Sequence, residues 1–234
     1  MNLIIILLSC LFSIIPIILI GYNFYVKDTI KEPKKLLNKL FIFGILSGII
    51  VIIISIYELF LFPSFTNVNK IDNFITLFIY SFIFIALTEE ICKFFIIYIL
   101  GYNNKEFDQA YDIILYSVFV ALGFAFFENV IYIINNPNIQ VLFLRIITAL
   151  PAHIFFQTIM GYYLYLSKLN NRDKCIFLSI FIPTVLHGCY DFLVFTGSNV
   201  FVMMALGLLI IMFIITNSKI KQLINVDKNN LKKQ

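Results

Sequence analysis

An all-α, polytopic transmembrane helical bundle is the fold this sequence predicts, and three observations predict it. Apolar residues make up 61% of the 234 residues against 13% charged, at a mean hydropathy of +0.97. A soluble domain of this size has no interior large enough for that much apolar surface. The apolar residues also fall in runs of about 20 or more, the length that crosses a bilayer as a helix. Between the runs lie short polar connections marked by Pro, Gly or Asn, such as "KEPKK", "GYNNKEFD", "NNPN" and "TGSN".

Seven segments follow in order, at roughly 3–26, 40–62, 74–100, 111–134, 139–166, 175–195 and 199–217. The first lacks a basic leading region and an A-x-A-type cleavage site, and its apolar run is too long for a signal peptide, so it is expected to stay as a helix. The second follows a loop rich in lysine. The third carries "TEEICKFF" inside its apolar run. In the fourth and fifth, the small residues Gly123, Ala125, Ala149, Ala152 and Gly161 would let helices approach closely. The sixth and seventh are nearly continuous. Residues 1–217 thus read as one transmembrane bundle, and 218–234 as a basic cytoplasmic tail expected to be disordered against anionic lipid.

Charge placement orients the bundle. The loops at 27–39, 101–110 and 167–174, with the tail after 217, hold fourteen of the lysines and arginines, while the alternate loops hold Lys70 alone. The positive-inside bias then predicts an outside N-terminus and a cytoplasmic C-terminus. With no Trp in the chain, any interfacial aromatic belt is expected to rest on its 13 Tyr. Cys10, Cys92, Cys175 and Cys189 sit in or beside apolar segments without CxxC spacing and read as small buried hydrophobes. A lipid bilayer is the expected surrounding, and no nucleic-acid partner is expected.

Polar residues inside the apolar runs carry the functional signal: Glu58, Glu89, Glu90, Lys93, Glu128, Arg145, His153, His187 and Asp191, which include both histidines of the chain. An ionised side chain at mid-membrane costs about 2.5 to 3.5 kcal/mol on insertion scales, so such residues need partners or a function. Lys93 lies four residues after Glu89 and three after Glu90, within reach of either carboxylate along a helix. A self-neutralising ion pair would explain one glutamate and leave the other. His187 and Asp191, four apart on one face, would let the carboxylate orient the imidazole. Glu128 and His153 add the same residue types on the fourth and fifth segments. Arg145 reads either as an interfacial anchor or as part of the site, and Glu58 as interfacial. At about 1.5 Å per residue, Glu89, Glu90, His153 and His187 fall near mid-segment, while Glu128 and Asp191 lie toward the outer face. One cavity opening outward is the expectation.

Carboxylates and imidazoles around a buried wet cavity suit the activation of water. A glutamate would act as general base, with a histidine donating to the developing oxyanion or the leaving amine. Alternatively, His153, His187 and a carboxylate would hold a divalent metal such as zinc with an open position for water, the remaining candidates being Glu89, Glu90, Glu128 and Asp191. HEXXH is absent, and local spacing does not choose between the two.

Four blocks, "TEEICKFF", "YDIILYSVFVALGFAFFENVIYI", "RIITALPAHIFFQTIMGYY" and "LHGCYDF", spread over about residues 88 to 195, resemble in this order the signature blocks of the PrsW family of bacterial intramembrane proteases. That family is distantly similar to the type II CAAX prenyl proteases and to the scaffold subunit of gamma-secretase. Glu89 and Glu90 match its paired glutamates, Glu128 its third, and His153 the histidine after the block that Arg145 opens. His187 and Asp191 match its final HxxxD. Ile113 and Ser117 stand where the family usually has glycine, a difference that concerns helix packing. The resemblance implies proteolysis of a single-span membrane protein, an anti-sigma factor, by a first cut on its extracytoplasmic side. A proton-coupled transporter would also place such residues at mid-membrane, but the internal repeats and matched broken helices of such folds are not visible. A non-catalytic scaffold is the other rival, although every residue of the pattern is present.

Overall fold

The computed structural model describes residues 3–63, 71, 73–135, 137–170 and 172–233, with side chains from Leu11 onward. Two sequence expectations, on Lys70 and on the Cys10 side chain, lie outside that set. The described residues are almost entirely helical. The first two helices are α1 (Leu3–Lys27) and α2 (Lys34–Leu61), the latter beginning after Pro33. Pro fixes the backbone of that entry and lacks only an N–H that the first helical turn leaves unused. The third segment is one helical rod of changing pitch. It comprises α3 (Phe74–Ile79), a wider π turn over Tyr80–Leu87, α4 (Thr88–Ile97) and a second π turn over Tyr98–Tyr102. Asn73 caps its start by accepting from the Ile75 N–H at 2.8 Å. Next come α5 (Asp112–Asn135), α6 (Ile139–Ile147), α7 (Ala149–Asn170), α8 (Asp173–Phe195) and α9 (Asn199–Leu231). Asn138 caps α6 in the same way. Gly197, at φ 65°, takes the left-handed turn that separates α8 from α9.

Helix α5 is the centre of the bundle. It packs on α1, α2 and α7, and it is buried along most of its length. Close approach on the α2 side depends on glycine. A Cβ on Gly44 would run into the Val120 carbonyl, and one on Gly123 into the Phe41 carbonyl. On the other side Gly161 of α7 meets the Ile113 carbonyl and the Ser117 hydroxyl. Small residues on the facing helix thus make room where α5 itself carries Ile113 and Ser117. The Ser117 hydroxyl returns its hydrogen bond to the Ile113 carbonyl at 2.6 Å.

One expectation is met in part and another needs correction. Among the described residues five helical stretches are long and apolar enough to cross a membrane: Lys34–Leu61, Asp112–Asn135, Ile139–Asn170, Asp173–Phe195 and Asn199–Leu231. The seven sequence segments exceed this count because the third is divided by π turns and the first is described with its side chains only from Leu11. The tail is not disordered, because α9 continues through it to Leu231. Ile220, Leu223 and Asp227 form a buried stripe along it. The Asp227 carboxylate accepts from the Ala110 and Tyr111 N–H groups at 2.7 and 2.9 Å, which ties the tail to the loop ahead of α5.

Candidate active site

Sequence order brings Glu89 and Glu90 onto the first turn of α4, immediately after the π turn over Tyr80–Leu87. Single π turns widen a helix and re-aim the residues that follow, and they are frequent at functional sites. Here Glu89, Glu90 and Lys93 all point into the bundle, at 6%, 0% and 0% exposure. Lys93 does not choose between the glutamates. Its ammonium lies 3.0 Å from Glu89 Oε2 and 2.9 Å from Glu90 Oε1, and it rests 3.9 Å above the centre of the Phe124 ring.

The two histidines reach the same point from α7 and α8. His187 donates from Nδ1 to Glu90 Oε1 at 3.0 Å. Its Nε2 lies 3.3 Å from Asp191 Oδ2 and 3.9 Å from Glu89 Oε2. The Phe156 ring stacks on its imidazole with centroids 4.7 Å apart and fixes the plane. His153 lies 3.3 Å by Nδ1 from the Lys93 ammonium and 2.7 Å by Nε2 from Glu128 Oε2. An ammonium has only protons to offer, so Nδ1 accepts and Nε2–H donates to Glu128. Arg145 completes this side. It pairs with Glu128 at 2.8 Å, donates from Nε to Asn129 Oδ1 at 2.9 Å and lies flat over the Tyr132 ring. Glu58 stands slightly apart, accepting from the Thr88 hydroxyl at 3.2 Å.

A cavity of about 360 Å³ opens against this cluster. Glu89, Glu128, Arg145, His153, His187 and Asp191 contribute to its wall, with aromatic surface from Phe84, Tyr132 and Tyr190. Glu90 and Lys93 are behind that wall. The structure therefore gathers all eight residues that sequence singled out as site or supporting residues, and it divides them between the wall and its backing.

Glu89, His153 and His187 each bring one ligand atom to within 4.8 Å of the others. Two imidazoles and a carboxylate, open on one side to a cavity, match the donor set of a catalytic zinc site. Glu90 and Glu128 hold one nitrogen each of His187 and His153, which leaves His187 Nε2 and His153 Nδ1 to face an ion, the latter once the Lys93 ammonium at 3.3 Å moves off it. Charge points the same way. Among the described residues, Glu89, Glu90, Glu128 and Asp191 meet two side chains of fixed positive charge, Lys93 and Arg145, besides the two imidazoles, so with neutral histidines the cluster carries surplus negative charge that a divalent cation would balance.

Sequence reasoning missed Gln157, Asn129 and Tyr132. Gln157 was detectable as a polar residue one helical turn after His153 on the same face of an apolar run. Asn129 and Tyr132 gain their meaning only from Arg145, which arrives from another helix.

Comparison with known proteins gives a consistent picture. Residues 32–217 match the family described as PrsW family intramembrane metalloprotease. The chain is 34% identical over 200 residues to Protease PrsW of Oceanobacillus iheyensis, covering 85% of this chain and 87% of that one. It is 32% identical over 236 residues to Protease PrsW of Clostridioides difficile, covering 96% of each. With Protease PrsW of Bacillus subtilis it shares 33% identity over 187 residues, or 78% and 80% of the two chains. No solved structure matches.

Proposed function

This chain belongs to the PrsW family of membrane-embedded proteases, and on that premise we propose that it hydrolyses one peptide bond of a single-span membrane protein at the Glu89–His153–His187 centre. It is a multi-pass bacterial membrane protein and a peptide hydrolase. The substrate we assign is an anti-sigma factor, cut first on its extracytoplasmic side. The substrate rests on the resemblance of the signature blocks, and the extracytoplasmic side is supported by the loop charges, by which Glu128, Arg145 and Asp191 lie on the outer halves of their segments. The same charges support seven spans with the N-terminus outside.

One observation carries the chemistry: three ligand atoms within 4.8 Å of one another at the wall of a buried cavity. Glu89, His153 and His187 would hold a divalent metal there, and such an ion, when bound, supplies a water of lowered pKa and polarises the scissile carbonyl. The protein's own groups do the rest. Glu90 holds His187 by Nδ1, Glu128 holds His153 by Nε2, and Arg145 with Tyr132 keeps Glu128 in place; the His153 Nδ1 that would face the ion now accepts from Lys93, and that contact would give way on binding. Desolvated side chains around the cavity keep bulk water from the reacting bond. A second reading, with Glu89 itself as the general base, is favoured by its place on the cavity wall, where Glu90 has none.

The test is cleavage of a single-span substrate by purified protein in proteoliposomes, with and without a chelator. Loss on chelation with recovery on added zinc is the expected result. Chelator-insensitive cleavage that Glu89→Gln abolishes would establish the second reading. Normal cleavage by a Glu89→Gln, Glu90→Gln double variant would sink both.

A further inference from the structure

Gln157 is fully buried on α7, one turn beyond His153, and its side-chain amide donates to Glu90 Oε2. Glu90 is fully buried too, and its other oxygen already accepts from Lys93 at 2.9 Å and from His187 Nδ1 at 3.0 Å. The carboxylate is therefore held by three donors from three helices, α4, α7 and α8. Remove the α7 donor and Oε2 loses that anchor, so the carboxylate, held then by Oε1 alone, can turn about its last bond and shift Oε1 relative to His187. With Nδ1 no longer held, the imidazole loses what keeps Nε2 aimed at Glu89 and Asp191 across the cavity wall. The amide cannot be reversed, because its carbonyl would then face a carboxylate. In the observed orientation its Oε1 has no partner among the described residues, and a buried acceptor left so costs stability. A residue chosen only for packing at this position would not carry that cost.

We propose that Gln157 is a positioning residue for the hydrolytic centre, acting through Glu90 to fix the direction of His187. The inference rests on the cluster being the catalytic centre, and does not depend on which water-activating chemistry operates there. Glu90 on this account backs the site, and Glu89 is the glutamate on the cavity wall.

Two variants remove the donor while roughly keeping volume, Gln157→Leu and Gln157→Met, and the second also keeps length. Each should lower kcat by about 10- to 100-fold, the usual effect of losing an outer hydrogen bond to a metal-site or catalytic histidine, with KM nearly unchanged. Because the chain has only two histidines, ¹⁵N-histidine NMR of the purified protein reads the effect directly. The His187 ring nitrogens should shift or broaden in both variants, while those of His153 stay in place. Wild-type kcat in either folded variant, or a His187 signal unchanged in both, would overturn the proposal. An equal disturbance of both histidines would do so as well, since it would mean a general packing defect. Inactivity of the His187→Ala protein tests the centre itself. If that variant cleaves normally, the catalytic assignment fails whatever Gln157 does.

Discussion

Glu89 and Glu90 are identical side chains one residue apart, and the fold gives them different work. A step of one residue turns a helix by about 100°, so one carboxylate faces the cavity and the other is sealed behind it. Lys93 balances both from a site with no access to water. Lys93→Ala should therefore destabilise the protein by about 3 to 5 kcal/mol, because it strands buried charge. Lys93→Met, which restores the volume, should recover little of that loss. A melting temperature for Lys93→Met close to wild type would show that packing and not charge is what Lys93 supplies. His187 and Asp191 are also unequal. His187 touches Glu90, Asp191 and Phe156, whereas Asp191 is a half-buried partner of one nitrogen at 3.3 Å. His187→Ala should abolish cleavage, and Asp191→Asn should lower kcat less severely, as single-turnover rates in proteoliposomes would reveal.

Among the elements, the contact between α2 and α5 carries the site indirectly, because α5 presents Glu128 to His153 and Phe124 to Lys93. Backbone meets backbone there at Gly44 and Gly123. A Gly123→Val side chain has nowhere to go, and overpacking of this kind costs about 1 to 3 kcal/mol. We expect a lower melting temperature and a lower cleavage rate together, where Gly207→Val, with open space around it, should change neither. The end of α9 is a second such case. Asp227→Ala would leave two buried N–H groups ahead of α5 without an acceptor, at about 1 to 3 kcal/mol. Its thermal unfolding should begin earlier than that of wild type. Unchanged unfolding would mean that the tail helix lies on the bundle without supporting it.

At the scale of the whole molecule, two properties can be measured. Orientation is the first. In a cysteine-free background, a Lys174→Cys probe should be labelled only from the cytoplasmic side and a Gln140→Cys probe only from outside; the reverse would overturn the topology. Stability against pH is the second. Glu32, buried in the turn between α1 and α2, is pushed by burial from an ordinary 4.5 up to about 7; the Tyr116 hydroxyl opposes the push, and Asp28, Asp108 and Glu106 reinforce it. An acid whose folded pKa is raised contributes stability below its unfolded value and loses it as pH rises through the folded one. The melting temperature should therefore fall between about pH 4.5 and pH 7. Glu32→Gln, which cannot ionise, should flatten that decline.

The sequence by itself determined that the chain is all helical and membrane-embedded. Hydropathy along a run of about 20 residues is a local property, and in lipid a helix is the one open-ended structure that satisfies its own backbone. It also marked the polar residues, because a charge in an apolar run is conspicuous without any knowledge of its partner. Helical spacing also paired Lys93 with Glu89 and Glu90, and His187 with Asp191; only the tertiary structure decided the partners that come from other helices. That Glu90 backs His187 while Glu89 faces the cavity depends on the rotation of α4 after its π turn, which no periodicity in "YSFIFIAL" announces. Gln157 of α7 meets Glu90 of α4 only once the helices are packed. The tail after residue 217 is helical for the same kind of reason. Its buried stripe of Ile220, Leu223 and Asp227 is short and set among lysines, so locally it resembles a solvated tail, and it becomes a helix where the loop ahead of α5 offers Asp227 two N–H groups. Contacts between residues more than a hundred positions apart leave no mark on the composition of either partner.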